Sequence, residues 1–451
     1  MSAPARQPTP RYKPYPEYQD SGVEWLGRVP VGWEVKRLKY AAQLDPESLA
    51  EDTDPALEMS YVDIGGVDSQ GRILEREVLT FASAPSRARK IVADGDVIVS
   101  TVRTYLRAIA AIRSPAPGTI VSTGFAVLRP GATLLTGFAA HALRAPYFVE
   151  RVVANSKGVS FPAINESEMA TFELAVPAPA EQLAIAAFLD RETARIDALA
   201  AKKERLIELL LEKRTALITR AATKGLDPAV PMKDSGVEWL GQVPESWEVA
   251  RMWRLGRAVS GSTPTKEERG YWDGGIPWVS PKDMKRRFMD STEDTVTERA
   301  IVETGIKLIV PPVVLIVVRG MILAHSFPVA ITTVPVTINQ DMKALRFRRG
   351  IAPAFMAWLF EGVGRDLLAA IVEEAAHGTR AIRMDQWRSA TVPVPSLPEQ
   401  RAIAAFLDRE TARIDALIVK VREAVGLLRE YRTALISAAV TGKIDVRGEA
   451  A

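Results

Sequence analysis

Cysteine is absent from this chain of 451 residues. Its absence excludes disulfide bonds, thiolate zinc sites, iron–sulfur clusters and a cysteine nucleophile. Long apolar runs are scarce as well. The longest, Leu308 to Val318, contains two prolines and is too short to cross a bilayer, so we expect a buried strand there. The N-terminal segment, Met1 to Tyr18, has no apolar core of a signal peptide, which favours a cytoplasmic protein.

Positive charge is barely in excess. The chain has 58 Lys and Arg residues and 55 Asp and Glu residues, for a net charge of +3. This balance permits nucleic-acid binding without requiring it. His141, His325 and His377 lie too far apart in the sequence for metal-ligand spacing. Phosphate loops (GxxxxGKS/T or GxGxxG), amino-methyltransferase motifs and compact nuclease motifs are missing too. The sequence predicts a non-catalytic protein without a metal or cofactor of its own; an enzyme with a dispersed active site is the alternative.

Two pairs of segments repeat in the same order along the chain. Ser21–Val35 and Ser235–Val249 agree at twelve of fifteen positions, and Glu181–Leu199 and Glu399–Leu417 agree at eighteen of nineteen. Their offsets, 214 and 218 residues, make the chain two halves of nearly equal length. Self-similarity at a fixed offset indicates a duplicated structural unit.

The segments between these anchors, Leu38–Val176 and Leu255–Val394, share little sequence. A fold with a symmetric core would keep core positions alike throughout, and this remains the alternative. Copied flanks around divergent centres favour a common scaffold that carries two different recognition domains. The predicted order is an N-terminal tail (1–20), a recognition domain (21–180), a helical spacer (181–225), a second recognition domain (226–398), a second spacer (399–442) and a C-terminal tail (443–451).

Each divergent segment is predicted to be a globular α+β domain. Two stretches, Phe138–Val153 and Phe355–Ala369, have helical character. Short runs rich in Val, Ile and Thr between turn residues predict strands at Val97–Thr101, Ile120–Val121, Phe125–Leu128, Ile276–Val279 and Val313–Val318.

The copied segments that follow are predicted to be long helices. A proline, Pro179 or Pro398, stands before a Glu-Gln pair in each, which places acidic charge at the positive end of the helix dipole. Glycine follows as a stop signal at Gly225 and Gly442. At 1.5 Å per residue, forty helical residues span roughly 60 Å.

Both helices carry a heptad-like apolar seam, with Lys203 as its polar exception. A seam sustained over about five heptads favours pairing of the helices as a coiled coil; a pair of ordinary core helices is the alternative. The seam residues are Leu189, Ile196, Leu210 and Leu217 in the first helix and Leu407, Ile414, Val421, Leu428 and Leu435 in the second. The residues expected at intermediate seam positions are Ile185, Leu199, Leu206, Ile403 and Leu417.

Two different domains on a rigid helical spacer suit DNA as a ligand. Sites on one face of a duplex recur about every 34 Å. A rod of roughly 60 Å with overlapping ends would therefore set two readers one helical turn or somewhat more apart. The expected target is an asymmetric sequence in two halves with an unread gap.

Basic and hydroxyl side chains at similar places in both halves are the candidate DNA contacts. Arginine reads guanine edges, while lysine and hydroxyl groups suit phosphates. A basic stretch alone is more often a solvated face, so the hypothesis depends on the similar placement in the two halves. The candidates are Arg87, Arg89, Lys90, Arg103, Thr104, Tyr105, Arg107, Lys157 and Ser160 in the first half, and Lys282, Lys285, Arg286, Arg319, Thr379 and Arg380 in the second.

The repeated motifs carry a family resemblance. The opening Tyr15–Gly27, the Val29-Pro30 and Trp33-Glu34-Val35 that follow it, and the Glu-Gln pair that begins each helix resemble type I restriction–modification specificity subunits. The resemblance covers nearly the whole chain. It implies two target-recognition domains, and two conserved helices that form an antiparallel coiled coil with an internal pseudo-two-fold repeat.

The same resemblance implies partners and cofactors. The ligand would be double-stranded DNA, and the partners would be two adenine-methyltransferase subunits and, in the full complex, two ATP-dependent translocase–endonuclease subunits. S-adenosylmethionine, ATP and Mg would belong to those partners. A DNA-binding or scaffolding protein that works without enzyme partners is the alternative.

Overall fold

The computed structural model describes residues 12–374 and 379–449. His377 and Gly378, which the sequence analysis considered, lie outside the described residues. The chain divides into two compact units: unit 1 takes the chain up to Lys203 and again from Glu423, and unit 2 takes Glu204 to Arg422. Both boundaries fall within a long helix, so each unit contains a part of each long helix.

Unit 1 is built on two four-stranded sheets. The first has the strand order Glu77–Thr80, Glu58–Val62, Thr119–Ser122, Ala88–Ile91, and the second has the order Ala42–Leu44, Phe125–Pro130, Val97–Ser100, Ile109–Ala111. One neighbouring pair in the first sheet is parallel and the others are antiparallel. Two-stranded pairs join Tyr18–Asp20 to Arg28–Pro30 and Glu34–Arg37 to Glu173–Val176. Its described helices and 3₁₀ turns are Leu38–Ala41, Ile64–Gly66, Thr104–Leu106, Thr136–Arg144, Pro146–Ala154, Glu166–Met169 and Arg447–Glu449.

Unit 2 is built on a five-stranded sheet with the order Gly256–Ser260, Met342–Phe347, Val314–Val317, Val329–Thr332, Phe288–Met289. The two three-stranded sheets have the orders Thr295–Val296, Trp272–Val279, Thr337–Ile338 and Arg319–Gly320, Arg380–Ile382, Val372–Glu374. Two-stranded pairs join Met232–Asp234 to Gln242–Pro244 and Glu248–Arg251 to Thr391–Val394. Its described helices and 3₁₀ turns are Met252–Leu255, Arg269–Tyr271, Pro281–Asp283, Glu298–Thr304, Met321–Ala324, Pro353–Ile371 and Met384–Ser389.

Most of the secondary structure expected from the sequence is present, with one correction. All five predicted strands occur, with ends shifted by a few residues. The helical stretch predicted over Phe138–Val153 is present, but as two helices, Thr136–Arg144 and Pro146–Ala154, that meet at Ala145. Ala145 has an extended ψ of 142°, as expected for a residue before proline, here Pro146.

The two long helices run over Pro179–Lys224 and Leu397–Val440. All nine predicted seam residues are buried or half-buried. The intermediate positions were partly wrong: Leu199, Leu206 and Leu417 are 40–44% exposed. Ile185 and Ile403 are buried as predicted, and the other buried intermediate positions lie four residues after a seam residue instead of three, at Thr193, Ala200, Thr411, Ile418 and Val425. None of the helices in the described part of the chain is long and apolar enough to cross a membrane.

Contacts between the long helices occur within each unit. In unit 1 the guanidinium of Arg432, on the second helix, lies 2.9 Å from the carboxylate of Asp197 on the first. In unit 2, Leu210, Ile414 and Ile418 form a buried cluster. The contact in unit 1 and the apolar cluster in unit 2 each join residues that lie far apart in the sequence.

The predicted tails are too long, since part of each is packed. Tyr12 and Tyr15 are buried in the core of unit 1, as is Val446. The Tyr15 hydroxyl donates to Glu181 at 2.6 Å, and the backbone N–H of Asp445 donates to the Lys13 carbonyl at 2.8 Å. These contacts join both ends of the described chain to the start of the first long helix.

Each long helix ends at a left-handed glycine that packs on the repeated tryptophan motif. Gly225 and Gly442 have φ values of 77° and 71°, a conformation that favours glycine because it has no Cβ. A Cβ on Gly442 would clash with the ring of Pro30, and one on Gly225 would lie 3.3 Å from Trp247. The glycine stop and the copied motif therefore belong to one packed structure in each unit.

One buried glutamine near the start of each long helix holds the recognition domain. The Gln182 side chain accepts a hydrogen bond from the Leu135 N–H at 2.7 Å and donates to the carbonyls of Thr133 and Pro177. Gln400 makes the same three bonds in unit 2, with Ala352, Gly350 and Pro395. In each unit the N–H that it caps precedes a core helix, which begins at Thr136 or Pro353.

Replacing this glutamine should destabilise its own unit. Gln182→Ala leaves one buried N–H and two carbonyls without their partners, and we expect a loss of about 2–4 kcal/mol in the free energy of unfolding. Leu183→Ala is the matched control, because its side chain is 62% exposed. Denaturant unfolding of the two variants checks this. Equal stability of both variants would show that the glutamine bonds contribute nothing.

Candidate nucleic-acid interface

Two segments that sequence analysis selected separately meet in unit 1: residues 102–107 and residues 157–163, here named the unit 1 corner. Val102 bridges Ala163 in antiparallel fashion. The second segment is closed by hydrogen bonds between Lys157 and Ala163, of 2.8 and 2.9 Å. The Arg103 guanidinium stacks over the Phe161 ring, 5.0 Å from its centroid. The corner thus joins a cation to an exposed aromatic ring.

The tip of this corner is exposed and partly apolar. Phe161 is 61% exposed, Val159 100% and Tyr105 54%. Arg103 and Arg107 both have left-handed backbone conformations, with φ of 52° and 55°. Such a conformation is uncommon for residues other than glycine and often marks functional segments.

Unit 2 has a corresponding corner, formed by residues 319–325 and 379–381, here named the unit 2 corner. Arg319 pairs with Ala381 and Gly320 with Arg380 in adjacent strands. Val102 and Ala163 stand 217 and 218 residues before Arg319 and Ala381, the offset of the repeat. Arg319 and Arg380 are exposed, and Met321 beside them is 70% exposed. The structure therefore brings together in both units the segments that the sequence predicted to be equivalent.

An open cleft of about 280 Å³ borders the unit 1 corner and includes Arg87, Arg103 and Phe161. Arg87 is exposed and its guanidinium lies 3.0 Å from the Asp63 carboxylate. Burial disfavours ionisation of Asp63, but hydrogen bonds from Arg87 and the backbone outweigh it and lower the pKa of that carboxyl. Arg87 is thus held at the cleft by a salt bridge and faces solvent beside Arg103.

Two of the predicted contacts are wrong, because their side chains lie inside the fold. Lys90 is 8% exposed, and its ammonium lies 2.8 Å from Asp45 and 2.5 Å from Glu166. Thr104 is 2% exposed, and its hydroxyl bonds the Ser156 hydroxyl at 2.8 Å. Thr104 supports the corner from within, Lys90 belongs to a buried polar cluster with Asp45 and Glu166, and neither side chain is available to DNA.

The remaining candidates lie at the surface, in several environments. Tyr105, Lys157 and Ser160 are exposed at the unit 1 corner, and Thr379 is half-buried at the unit 2 corner. Arg89 stacks on Phe81, 4.6 Å from the ring centroid. Elsewhere in the sequence of unit 2, Lys282 pairs with Asp294 at 2.8 Å, Arg286 pairs with Asp290 at 3.3 Å, and Lys285 is exposed.

The apolar members of the corners, Phe161 and Met321, were missed by sequence reasoning. The sequence did contain a signal for Phe161, since this residue directly follows the selected Ser160 in a segment otherwise rich in small residues.

The two histidines that the structure describes do not form a metal site. His141 is buried, which lowers its pKa, and its imidazole bonds Asp190 at 2.7 Å. His325 is exposed. Among the described residues, no cluster of three or more candidate ligands could hold a metal ion.

The comparison with known protein families is decisive for identity. A family model described as type I restriction modification DNA specificity domain matches residues 30–209 and again residues 244–425. The chain belongs to this family. Both the internal repeat and the mixed α/β class predicted from the sequence are confirmed. Members of the family are specificity subunits, which are not catalytic, so the expectation of a non-catalytic chain is also confirmed.

Curated relatives of this specificity chain match over part of their length. The Escherichia coli EcoR124I/EcoR124II specificity subunit is 35% identical over 207 residues, which are 45% of this chain and 46% of the relative. The Methanocaldococcus jannaschii MjaIX specificity subunit is 26% identical over 37% of this chain and 38% of the relative. The matches thus span about half the length of these relatives or less.

Solved structures support the fold of the specificity chain. A chain from a structure of a type I R-M system assembly aligns with a TM-score of 0.72 at 24% identity, over 92% of this chain and 99% of that one. The HsdS subunit from Thermoanaerobacter tengcongensis aligns with a TM-score of 0.58 at 22% identity, over 92% and 98%. At these identities the likeness concerns the fold alone.

The polar cluster that Lys90, Asp45 and Glu166 form in unit 1 of this specificity chain should make stability depend on pH. Burial and the hydrogen bond with Asp45 raise the pKa of Glu166 to about 7, against the pull of Lys90. The folded state therefore favours the protonated carboxyl. Its stabilisation is present below the unfolded pKa, near 4.5, and is lost as the pH rises through about 7.

Glu166→Gln should remove this dependence, because glutamine cannot ionise. Between pH 4.5 and 7 the free energy of unfolding of the natural chain should fall relative to that of the variant. Taking the difference between the two unfolding free energies cancels the pH dependence of groups that both proteins contain. His141 is one such group, and its titration changes stability in the opposite direction. Denaturant unfolding at several pH values measures it. A difference that does not change with pH would contradict the raised pKa.

Proposed function

We propose that this chain is the sequence-specific DNA-recognition subunit of a type I restriction–modification complex. It would read a bipartite, asymmetric target and direct adenine methylation or ATP-dependent restriction by partner subunits. The observation that carries the proposal is the pair of corresponding corners, each on a divergent unit and each attached to a copied helix. Different surfaces on one repeated scaffold suit two different half-sites.

The unit 1 and unit 2 corners offer the chemistry of a DNA reader. Arg103, Arg319 and Arg380 present exposed guanidinium groups, which bind guanine edges or phosphates. Phe161 and Met321 present exposed apolar surface beside them, and such groups contact thymine methyls or base steps. Strand pairing at both corners fixes the backbone, so the side chains are held in place before DNA arrives.

We propose further that the long helices pair as an antiparallel coiled coil that sets the gap between the half-sites. The supporting evidence is that all nine seam residues are buried or half-buried, together with the ion pairs Asp197–Arg432 and Arg214–Asp415, one in each unit. The two pairs occupy equivalent places of the repeat, since both offsets are 218 residues. An ordered helix has a length fixed by its residue count.

The proposed partners are two methyltransferase subunits and, in the full complex, two restriction and translocation subunits. S-adenosylmethionine, ATP and Mg would be bound by those partners and not by this chain. The family assignment supports these partners, and so does the aligned chain that was solved to explain complex assembly of the type I R-M system. Co-purification with a methyltransferase subunit separates this proposal from a reader that works alone.

Each corner should control one half of the target. If the arginine reads a base, Arg103→Ala and Arg319→Ala should each weaken specific binding by about 1–3 kcal/mol and relax only one half-site. Arg195→Ala is the control, because that side chain is 70% exposed on the first long helix and belongs to neither corner. Binding to a library of duplexes gives the preference of each variant. Loss of selectivity in the same half-site by both variants would refute the assignment.

Lengthening the helices should lengthen the unread gap. One heptad inserted after Lys203 and one after Arg422 keeps the seam in register and adds about 10.5 Å, or about three base pairs at 3.4 Å each. Both half-sites should stay the same. Methylation mapping in cells that carry the variant with its methyltransferase subunit measures the gap and tests the function itself.

The control for this experiment is a seven-residue insertion after Asp227, in the exposed connection that follows the first long helix. It should leave the gap as it was. A gap unchanged by the helix insertions would show that something other than the helices measures the DNA. An absence of methylation even for the natural chain with its partners would refute the proposed function.

A further inference from the structure

A cavity of about 230 Å³ in unit 1 is lined by four arginines and lies where the recognition domain meets the second long helix. We name it the four-arginine pocket, after Arg107, Arg144, Arg429 and Arg432. None of the described residues that line it is acidic. Its other lining residues are Ser69, Gln70, Pro146, Val149, Thr433 and Ile436.

The innermost of these arginines has little charge compensation. The Arg144 guanidinium donates to the carbonyls of Ala140 and Gln70 and contacts the His141 ring, all neutral groups. Burial, and then the nearby Arg432, lower the pKa of Arg144 to about 10, so the guanidinium stays cationic at neutral pH but its charge is less well stabilised than in water. The nearby carboxylates are paired with other groups: Asp190 with His141 and Arg113, and Asp197 with Arg432 of the pocket itself, so among the described residues none forms an ion pair with Arg144.

Unit 2 provides an internal comparison at the same place of the repeat. His141 and Trp358 bond the equivalent aspartates Asp190 and Asp408, which fixes the register of the two core helices. In that register Arg144 corresponds to Glu361.

Glu361 neutralises its surroundings, because it lies 2.8 Å from Arg214 and 3.0 Å from Arg287. Arg214 is the counterpart of Arg432, 218 residues earlier. At the positions of Arg107 and Arg429, unit 2 has Ala324 and Leu211. A carboxylate thus closes the site in unit 2, whereas unit 1 has guanidinium groups at the corresponding positions.

We propose that the four-arginine pocket binds a phosphate group of the DNA backbone. A phosphate supplies the missing negative charge, and its oxygens match the forked geometry of guanidinium groups. The pocket admits a single phosphate group and no base pair. The inference rests on the proposed function, because the ligand is the DNA that the corners read.

The position of Arg107 favours the DNA backbone over a free phosphate as the source. Arg107 directly follows the 3₁₀ turn Thr104–Leu106, which belongs to the unit 1 corner. DNA in contact with Arg103 would therefore pass within a few residues of the pocket entrance. Arg144 and Arg432 would then bind the phosphate from the domain and from the helix, and so join the duplex to the scaffold.

Two variants and a control test this pocket in the full chain, together with any methyltransferase subunit that co-purifies with it. Arg107→Ala combined with Arg429→Ala removes two guanidinium groups of the pocket whose side chains are exposed. Arg144→Glu copies unit 2, where Glu361 pairs with Arg214, and the new carboxylate should pair with Arg432. Arg195→Ala removes one exposed arginine outside the pocket.

Affinity is measured between low and moderate salt for duplexes with and without the target sequence. Loss of one phosphate contact should lower the slope of log K against log salt by about 0.9, and the affinity for every sequence by about eightfold at 0.1 M salt. Both pocket variants should show this, while Arg195→Ala should not. In a second measurement, inorganic phosphate should raise the melting temperature of the natural chain more than that of Arg144→Glu at equal ionic strength.

The outcomes are distinguishable. Unchanged affinity and slope in the double variant overturn the proposal, and so does a loss confined to the target sequence, which would indicate base reading. Stabilisation by inorganic phosphate with unaltered DNA binding would assign the pocket to a free phosphate and overturn the DNA source. If the natural complex binds no DNA at all, the proposed function itself fails, which is seen before any variant is compared.

Discussion

The attachment of each recognition domain to its helix depends on one buried side-chain amide. Gln182 and Gln400 bind only backbone groups of the domain: the N–H before a core helix and two carbonyls in the preceding loops. Backbone groups are present whatever the side chains are. The domain sequence can therefore diverge freely while the helix that holds it stays a copy, which is the pattern found in this chain.

A second copied contact shows how much variation the attachment accepts. Asp190 and Asp408 are equivalent, yet one accepts a hydrogen bond from the His141 imidazole and the other from the Trp358 indole. The bond from His141 lowers the pKa of Asp190. In each unit the N–H of an aromatic ring donates to the aspartate at the equivalent position of the long helix. The scaffold thus requires a donor at this place and not a particular residue.

The sequence predicted the repeat, the long helices and the equivalence of the two corners, because each leaves a local or periodic pattern. It could not predict the burial of Lys90, whose partners Asp45 and Glu166 lie far along the chain and approach it only in the folded sheet. The intermediate seam positions were ambiguous because apolar residues occur both three and four residues after a seam residue, as Leu417 and Ile418 do after Ile414. The break at Ala145 was predictable, since proline follows it.

The two halves share a scaffold, so a difference at an equivalent position separates what the scaffold needs from what one reader needs. Arg432 and Arg214 pair with equivalent aspartates in the two units, and this pair belongs to the scaffold. The domain residue near this ion pair has opposite charge in the two units: it is Arg144 in unit 1 and Glu361 in unit 2. Opposite charges cannot both serve the packing of the same helix position.

Glu361 forms ion pairs with both Arg214 and Arg287, so the positive charges at this site of unit 2 are compensated within the protein. Arg144 instead adds positive charge to a site that already contains Arg432, and like charges at close range destabilise the folded state. A group that lowers stability and is absent from the sister domain is understandable when an anion completes the site. The two recognition domains therefore differ in how each meets the charged backbone as well as in which bases they face.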